Sequence, residues 1–257
     1  MRTPIKDPGP SHAATLSHLK RIIPEKSDVA TFLFYGGNLE LNLAEADRDV
    51  VSFTNRYVIY EFWKCLIEEP LRIAEIAKFM HKRAEDDKKM FIHLQKDWAS
   101  FRDPFTRAAM FFVLNRCSTT GYVSSGEFDF EGVNALSISH LVNCRPINFD
   151  VGWNTQEDFI DSLNEKNIPG DYVLIPAGKF SYNFFEEGKS KGIEETTVDH
   201  RQLNRKLLNF EKKSIVLYKY HSAAVKLYKD FNITMIGRHG QIVDSPSECE
   251  DLVIANF

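Results

Sequence analysis

Three histidines and one pair of glycines are the residues of this sequence whose types and spacing first suggest chemistry. His200 and His221 bracket a helical stretch and the β-rich run after it, and Asp199–His200–Arg201 has the residue types of an acid–base group. The same triplet also reads as a helix start, with Asp199 in the first turn, where a carboxylate meets the positive end of the helix. His239 lies in GRHGQ, a glycine-flanked turn without a partner pattern. Gly36–Gly37 follows a β-rich run. Glycine there lets a backbone approach a ligand closely between strand and helix, and it equally serves a tight turn. HExxH, GxxxxGK and GxSxG do not occur, so hydrolase and nucleotidase readings have no support. Trp63, Trp98 and the phenylalanines are expected in the core.

The elements that must position these residues draw on 257 residues with 43% hydrophobic content, enough to bury a full core. No apolar run approaches the roughly 20 residues that a membrane span needs, and the N-terminus has no apolar block of the secretory kind. A cytoplasmic protein is expected, or a virion component if virus-encoded. Cys65, Cys117, Cys144 and Cys249 form no CxxC pair, which points to reduced thiols and to no metal site. A formal net charge of −4 argues against a general polyanion binder. The basic pairs Lys20–Arg21, Lys82–Arg83 and Arg205–Lys206 are dispersed and read as solvated surface.

Helical periodicity spans Ser11 to Arg21, ending near Pro24, and returns from Tyr57 to Arg116. Asp28 to Phe34 and Asp49 to Phe53 read as strands, and residues 117–132, rich in Gly, Ser and Thr with alternating aromatics, as a hairpin. Short apolar runs at Pro146–Asp150, Asp171–Ile175, Ser214–Tyr218, Ile233–Ile236 and Leu252–Ile254 alternate with helical stretches at 155–165, 198–210 and 222–230. That alternation predicts a parallel sheet covered on both faces. The glycine-punctuated loop Glu186–Glu195 is expected to be mobile.

The order of these segments resembles the Dam-type adenine-specific DNA methyltransferases. RAAMFFVLNRCSTTGYVSSGEF at 107–128 is similar to that family's helix ending in LNR, its turn and its hairpin closing on Gly-Glu-Phe. HLKRIIPE, FLFYGGNLEL, the FNI at 231–233 and the Asn256–Phe257 end support it. The resemblance implies an α/β fold with a Rossmann-like, doubly wound methyltransferase sheet. Residues 1–60 and 145–257 would form the core, and 61–144 a helical insertion with the hairpin. It implies S-adenosylmethionine at Gly36 and Gly37, with Asn55 the surviving polar group at the end of the second strand.

Other positions depart from the family's pattern. Thr31 to Tyr35 lacks the acid that the family places before the glycines, and Phe53 stands where an acid grips the cofactor's ribose. The family's Asp-Pro-Pro-Tyr accepts the adenine amine and stacks on the flipped base. Here the strand runs into Ile175–Pro176–Ala177–Gly178–Lys179, with either Ile175 or Pro176 in place of Asp and Gly178 or Lys179 in place of Tyr. Phe180 and Tyr182 are the aromatics near enough to swing in. The hairpin has Glu127, Asp129 and Glu131 and no Lys or Arg, so DNA is not a favoured partner. A non-catalytic protein is therefore expected, one that needs no cofactor and works through a protein partner as a binding, regulatory or structural component, a virion's included. The hairpin, with Tyr122, Phe128 and Phe130, would join that contact. The alternative is a diverged S-adenosylmethionine-dependent adenine-specific DNA methyltransferase with a site rearranged around Lys179, Tyr182 and Asn183.

Overall fold

The computed structural model describes residues 2–86, 88–123, 126–154, 159–163, 168–180 and 198–257. Tyr182, Asn183 and the loop Glu186–Glu195 lie outside the described residues, as do most positions of the helix expected over 155–165. The chain divides into two compact units. One contains the residues up to Pro8 and Arg56–Pro146; the other contains Gly9–Asn55 and the described residues from Ile147 on.

The second unit holds one sheet of seven strands: β1 Asp28–Thr31, β2 Asp49–Thr54, β3 Phe149–Trp153, β4 Tyr172–Gly178, β5 Lys213–Lys219, β6 Asn232–Gly237 and β7 Cys249–Ala255. Their order is β3-β2-β1-β4-β5-β7-β6. The strands from β3 through β5 run parallel to their neighbours. Val29, Ala30, Val173, Leu174, Ile175, Ile215, Val216 and Leu217 on these strands are buried, as a sheet covered on both faces requires. The sheet expected as parallel is in fact mixed, because β7 pairs antiparallel with both β5 and β6. The physical reason is the connection: 238–248 carries no helix, and a short link of that kind returns a strand antiparallel, whereas parallel pairs need a crossover. The strand order reverses between β1 and β4, the switch point where open α/β sheets place ligands.

The helices α1 Leu16–Ile22, α2 Asn38–Ala44, α8 Phe159–Ser162, α9 His200–Leu208 and α10 Ser222–Leu227 belong to the sheet's unit, and α3 Tyr57–Glu68, α4 Pro70–Asp86, α5 Lys88–Asp97, α6 Pro104–Cys117 and α7 Ala135–Val142 to the helical one. Arg48 is buried and donates to the carbonyls of Lys20 and Ile23, closing the C-terminal end of α1. In the helical unit, α6 is buried along its length, from Phe105 through Leu114 save Thr106 and Arg107. A helix apolar on all sides is the centre of its bundle. Asp103 caps it, accepting from the Thr106 amide at 2.7 Å, with Pro104 at its first position. The helix α7 was not anticipated. Its signal was the capping box of Asn134 and Ser137, each side chain bonded to the other's backbone amide.

Among the described residues no helix is long and apolar enough to cross a membrane.

Candidate functional site

The candidate site lies at the carboxyl ends of β1, β2 and β4. The strand β1 stops at Thr31, short of the expected Phe34, because Leu33 takes a left-handed conformation with φ 58°. That bend costs a non-glycine residue on the order of 1 kcal/mol and lets the chain turn before the glycines. The Phe34 amide then donates to Phe53 O at 3.2 Å, tying the turn to the end of β2. Phe34, Tyr35, Gly36 and Gly37 are all buried. Gly37 has φ 75° and is the N-cap of α2, a conformation only glycine adopts cheaply. Asn55 is half-buried just beyond β2. The structure thus brings Gly36, Gly37 and Asn55 to the ends of two neighbouring strands.

Phe32 and Phe53 fill the two places where the resemblance puts carboxylates. Phe32 is buried, and its ring stacks on Phe53 with centroids 5.3 Å apart and an angle of 22°. Room for Phe53 comes from Gly152, its neighbour on β3: a Cβ there would lie 2.5 Å from Phe53 Cε1. The rings bring no acceptor for ribose hydroxyls. These residues therefore do not fit the grip on S-adenosylmethionine that the family uses.

The end of β4 carries Ile175 fully buried and paired with Val216, then Pro176 and Ala177 half-buried. A register shift between Pro176 and Gly178 distorts the strand there, and Gly178 has φ 76°. Neither Ile175 nor Pro176 offers a side-chain acceptor. Lys179 is exposed. Phe180, read from sequence as able to swing toward a base, is instead held: it is buried and stacks on His200 at 4.4 Å and on His221 at 5.3 Å. An aromatic buried and stacked on two other rings is not free to swing out to a third.

His200 and His221 meet around Phe180, though their roles are structural. Asp199 caps α9, accepting from the Arg201 and Gln202 amides at 3.0 and 2.9 Å. His200 Nδ1 is 2.9 Å from the Tyr218 hydroxyl, which in turn is 3.2 Å from that of Tyr228. Burial pushes both phenols well above the ordinary tyrosine range. His221 caps α10 by accepting from the Ala223 amide at 3.1 Å, and His239 is exposed. The buried aromatic chain was not legible in sequence, since its members lie on four separate segments.

In the helical unit, the segment expected as a hairpin makes one isolated bridge among its described residues, Ser118 with Phe128. Glycine-rich spacing promised a ladder, but Phe130–Gly132 winds into a 3-10 turn capped by Asp129 instead. The aromatics pack down: Phe128 lies 4.7 Å from Phe91, and Phe130 stacks on His81 at 4.4 Å. Phe130 stays 37% exposed, and Glu127 and Glu131 are exposed beside it. Sequence reasoning also missed Asn115. Its side chain is fully buried and holds the Lys6 backbone at 2.7 and 2.8 Å and Gly121 O at 2.7 Å.

Residues 13–133 match the D12 class N6 adenine-specific DNA methyltransferase family. That match, over just under half of the chain, agrees with the Dam-type resemblance. The D12 match covers β1, the glycine turn, β2 and the helices through α6, and ends before β3 and β4. The sheet, with its order reversing at β1 and β4, has a Rossmann-like, doubly wound arrangement. Among solved structures, Haemonchus contortus phosphoethanolamine N-methyltransferase 1 in complex with phosphoethanolamine and S-adenosylhomocysteine is similar at 12% identity and a TM-score of 0.37. The likeness covers 96% of this chain and 41% of that one, so the chain spans about two fifths of that protein's length. No curated protein matches the chain.

Among the described residues no group of three or more His, Cys, Asp or Glu is placed to hold a metal ion.

Proposed function

We propose that this D12-class chain is a non-catalytic methyltransferase-fold protein that acts by binding, as a regulatory or structural component in the cytoplasm or a virion. The observation that carries this reading is the end of β4. Ile175–Pro176–Ala177–Gly178 offers no side-chain acceptor for an adenine amine, and the next described aromatic along the chain, Phe180, is buried and stacked on two histidines. Losing positioning and electrostatic help together removes several orders of magnitude in rate. A protein partner would meet the exposed Phe130, Glu127 and Glu131, a surface whose acids repel phosphates.

The D12 match over 13–133 favours a second reading and supports it more directly than it supports inactivity: a diverged S-adenosylmethionine-dependent adenine-specific DNA methyltransferase. Its site would be rearranged around Lys179, with Gly36, Gly37 and Asn55 toward the cofactor. One experiment separates the two. The protein is incubated with tritiated S-adenosylmethionine and mixed-sequence DNA, single- and double-stranded, with calorimetry of the cofactor in parallel. The first reading expects no incorporation above a heat-killed control and binding weaker than micromolar. Incorporation that disappears in Lys179→Ala would establish the second.

A further inference from the structure

Within the sheet's unit, the segment Gly9–His12 meets the end of β4. The ring of Pro10 rests on Gly178: a Cβ on that buried glycine would be 2.9 Å from Pro10 Cγ. Gly9, Pro10 and Ser11 are exposed, so this segment has little core of its own. Its fixture is His12, which is 4% exposed, with Nδ1 2.7 Å from Oδ1 of the wholly buried Asp251 on β7. Thr15 donates both its amide and its hydroxyl to His12 O, which holds the following turn in place.

Two details make this fixture releasable. Lys219 on β5 has its ammonium 3.0 Å from the same Asp251 oxygen and 3.0 Å from Glu250. If His12 leaves, the buried carboxylate keeps a cation, so opening does not strand a bare charge. Meanwhile His12 Nε2 and the second Asp251 oxygen, both buried, have no hydrogen-bond partner among the described residues. An unsatisfied buried polar atom is costly, and water would satisfy Nε2 once the segment lifts. The closed state therefore holds by one strong bond and gives up another.

We infer that Gly9–His12 is a strap closing the carboxyl end of β4, with His12–Asp251 as its latch, and that releasing the latch uncovers Gly178. This is a latched cover built into the fold, and it stands whichever reading of the activity is correct.

Hydrogen exchange on the full chain, followed by mass spectrometry, tests it. In His12→Ala, exchange should speed up about tenfold or more in the peptides covering residues 9–13 and the end of β4, while β1 keeps its wild-type rate. His12→Asn retains a side-chain N–H near the Nδ1 position and should return both peptides toward the wild-type rate. Unchanged exchange at the end of β4 in His12→Ala would overturn the proposal. So would acceleration spread evenly over β1 and β5, which would make His12 an ordinary core residue. If His12→Ala does not fold, Pro10→Gly still decides the point: the exposed ring is lost and the latch kept, and exchange at the end of β4 should rise. No rise there would mean that the segment covers nothing.

Discussion

A single glycine and a single phenylalanine show how the departure from the family's pattern is built into the fold. Phe53 points its ring over Gly152 and onto Phe32, so the position opposite on β3 has no room for a side chain. Two rings stacked in this way contribute on the order of 1 kcal/mol beyond the area they bury. An acid at Phe53 would leave this contact, so the rings are a packed replacement for the polar grip. Gly152→Ala should destabilise the protein by about 1–3 kcal/mol, because the new methyl meets a ring that cannot retreat without leaving Phe32. Adding Phe53→Ala should recover most of that loss, making the pair strongly non-additive in denaturant melts. Additive losses would show that Phe53 does not sit as described.

At the scale of elements, the sequence was most readable where period and burial agree. The all-apolar run in α6 and the Val- and Ile-rich strands β4 and β5 are each specified locally, by 3.6-residue or continuous apolar patterning. Legibility failed where distant contacts decide. The strand β7 turns antiparallel because of what its connection lacks, and α7 hid behind a polar capping box. The expected hairpin is reduced to one antiparallel bridge, Ser118 with Phe128, and the rings of Phe128 and Phe130 pack on α5 and α4. The tight turn at Gly36–Gly37 was readable from local pattern, whereas the stacking of Phe180 on its histidines and the His12–Asp251 pair depend on residues up to 239 positions apart. The packed aromatics also refine the contact surface. Asp129 caps the 3-10 turn, so only Glu127 and Glu131 can be reversed without touching the fold. Glu127→Lys with Glu131→Lys should leave the melting temperature unchanged and weaken association with the natural partner in a pull-down from the native source. Retention of the partner by this variant would remove the surface from the proposed function.

At the scale of the whole molecule, the buried ionisable groups set a pH window for stability, and the two units contribute to it differently. Burial pushes the thiols of Cys65, Cys117 and Cys144 in the helical unit up to about 12. The same cause raises the Tyr218 and Tyr228 phenols in the sheet's unit. All five are neutral when protonated, and each holds its proton more tightly folded than unfolded. Their contribution is fully present below the unfolded value, about 8.5 for a thiol, and is lost as pH rises toward the folded one. On the acid side, burial depresses His18 on α1, and the guanidinium of Arg21, 3.1 Å from Nδ1, adds to the effect. The unfolded chain takes that proton near pH 6.5 and the folded one resists it, so stability falls as pH drops below that value. The melting temperature, measured under reducing conditions from pH 5 to 11, should therefore be level between about 7 and 8 and fall on both sides. The alkaline limb should be the steeper, because these thiols and phenols, together with the Cys249 thiol that burial pushes up to about 11, release protons there, whereas His18 acts on the acid side. His18→Gln should flatten the acid limb alone. A melting temperature that stayed level up to pH 11 would mean that the buried thiols and phenols reach water in the native state.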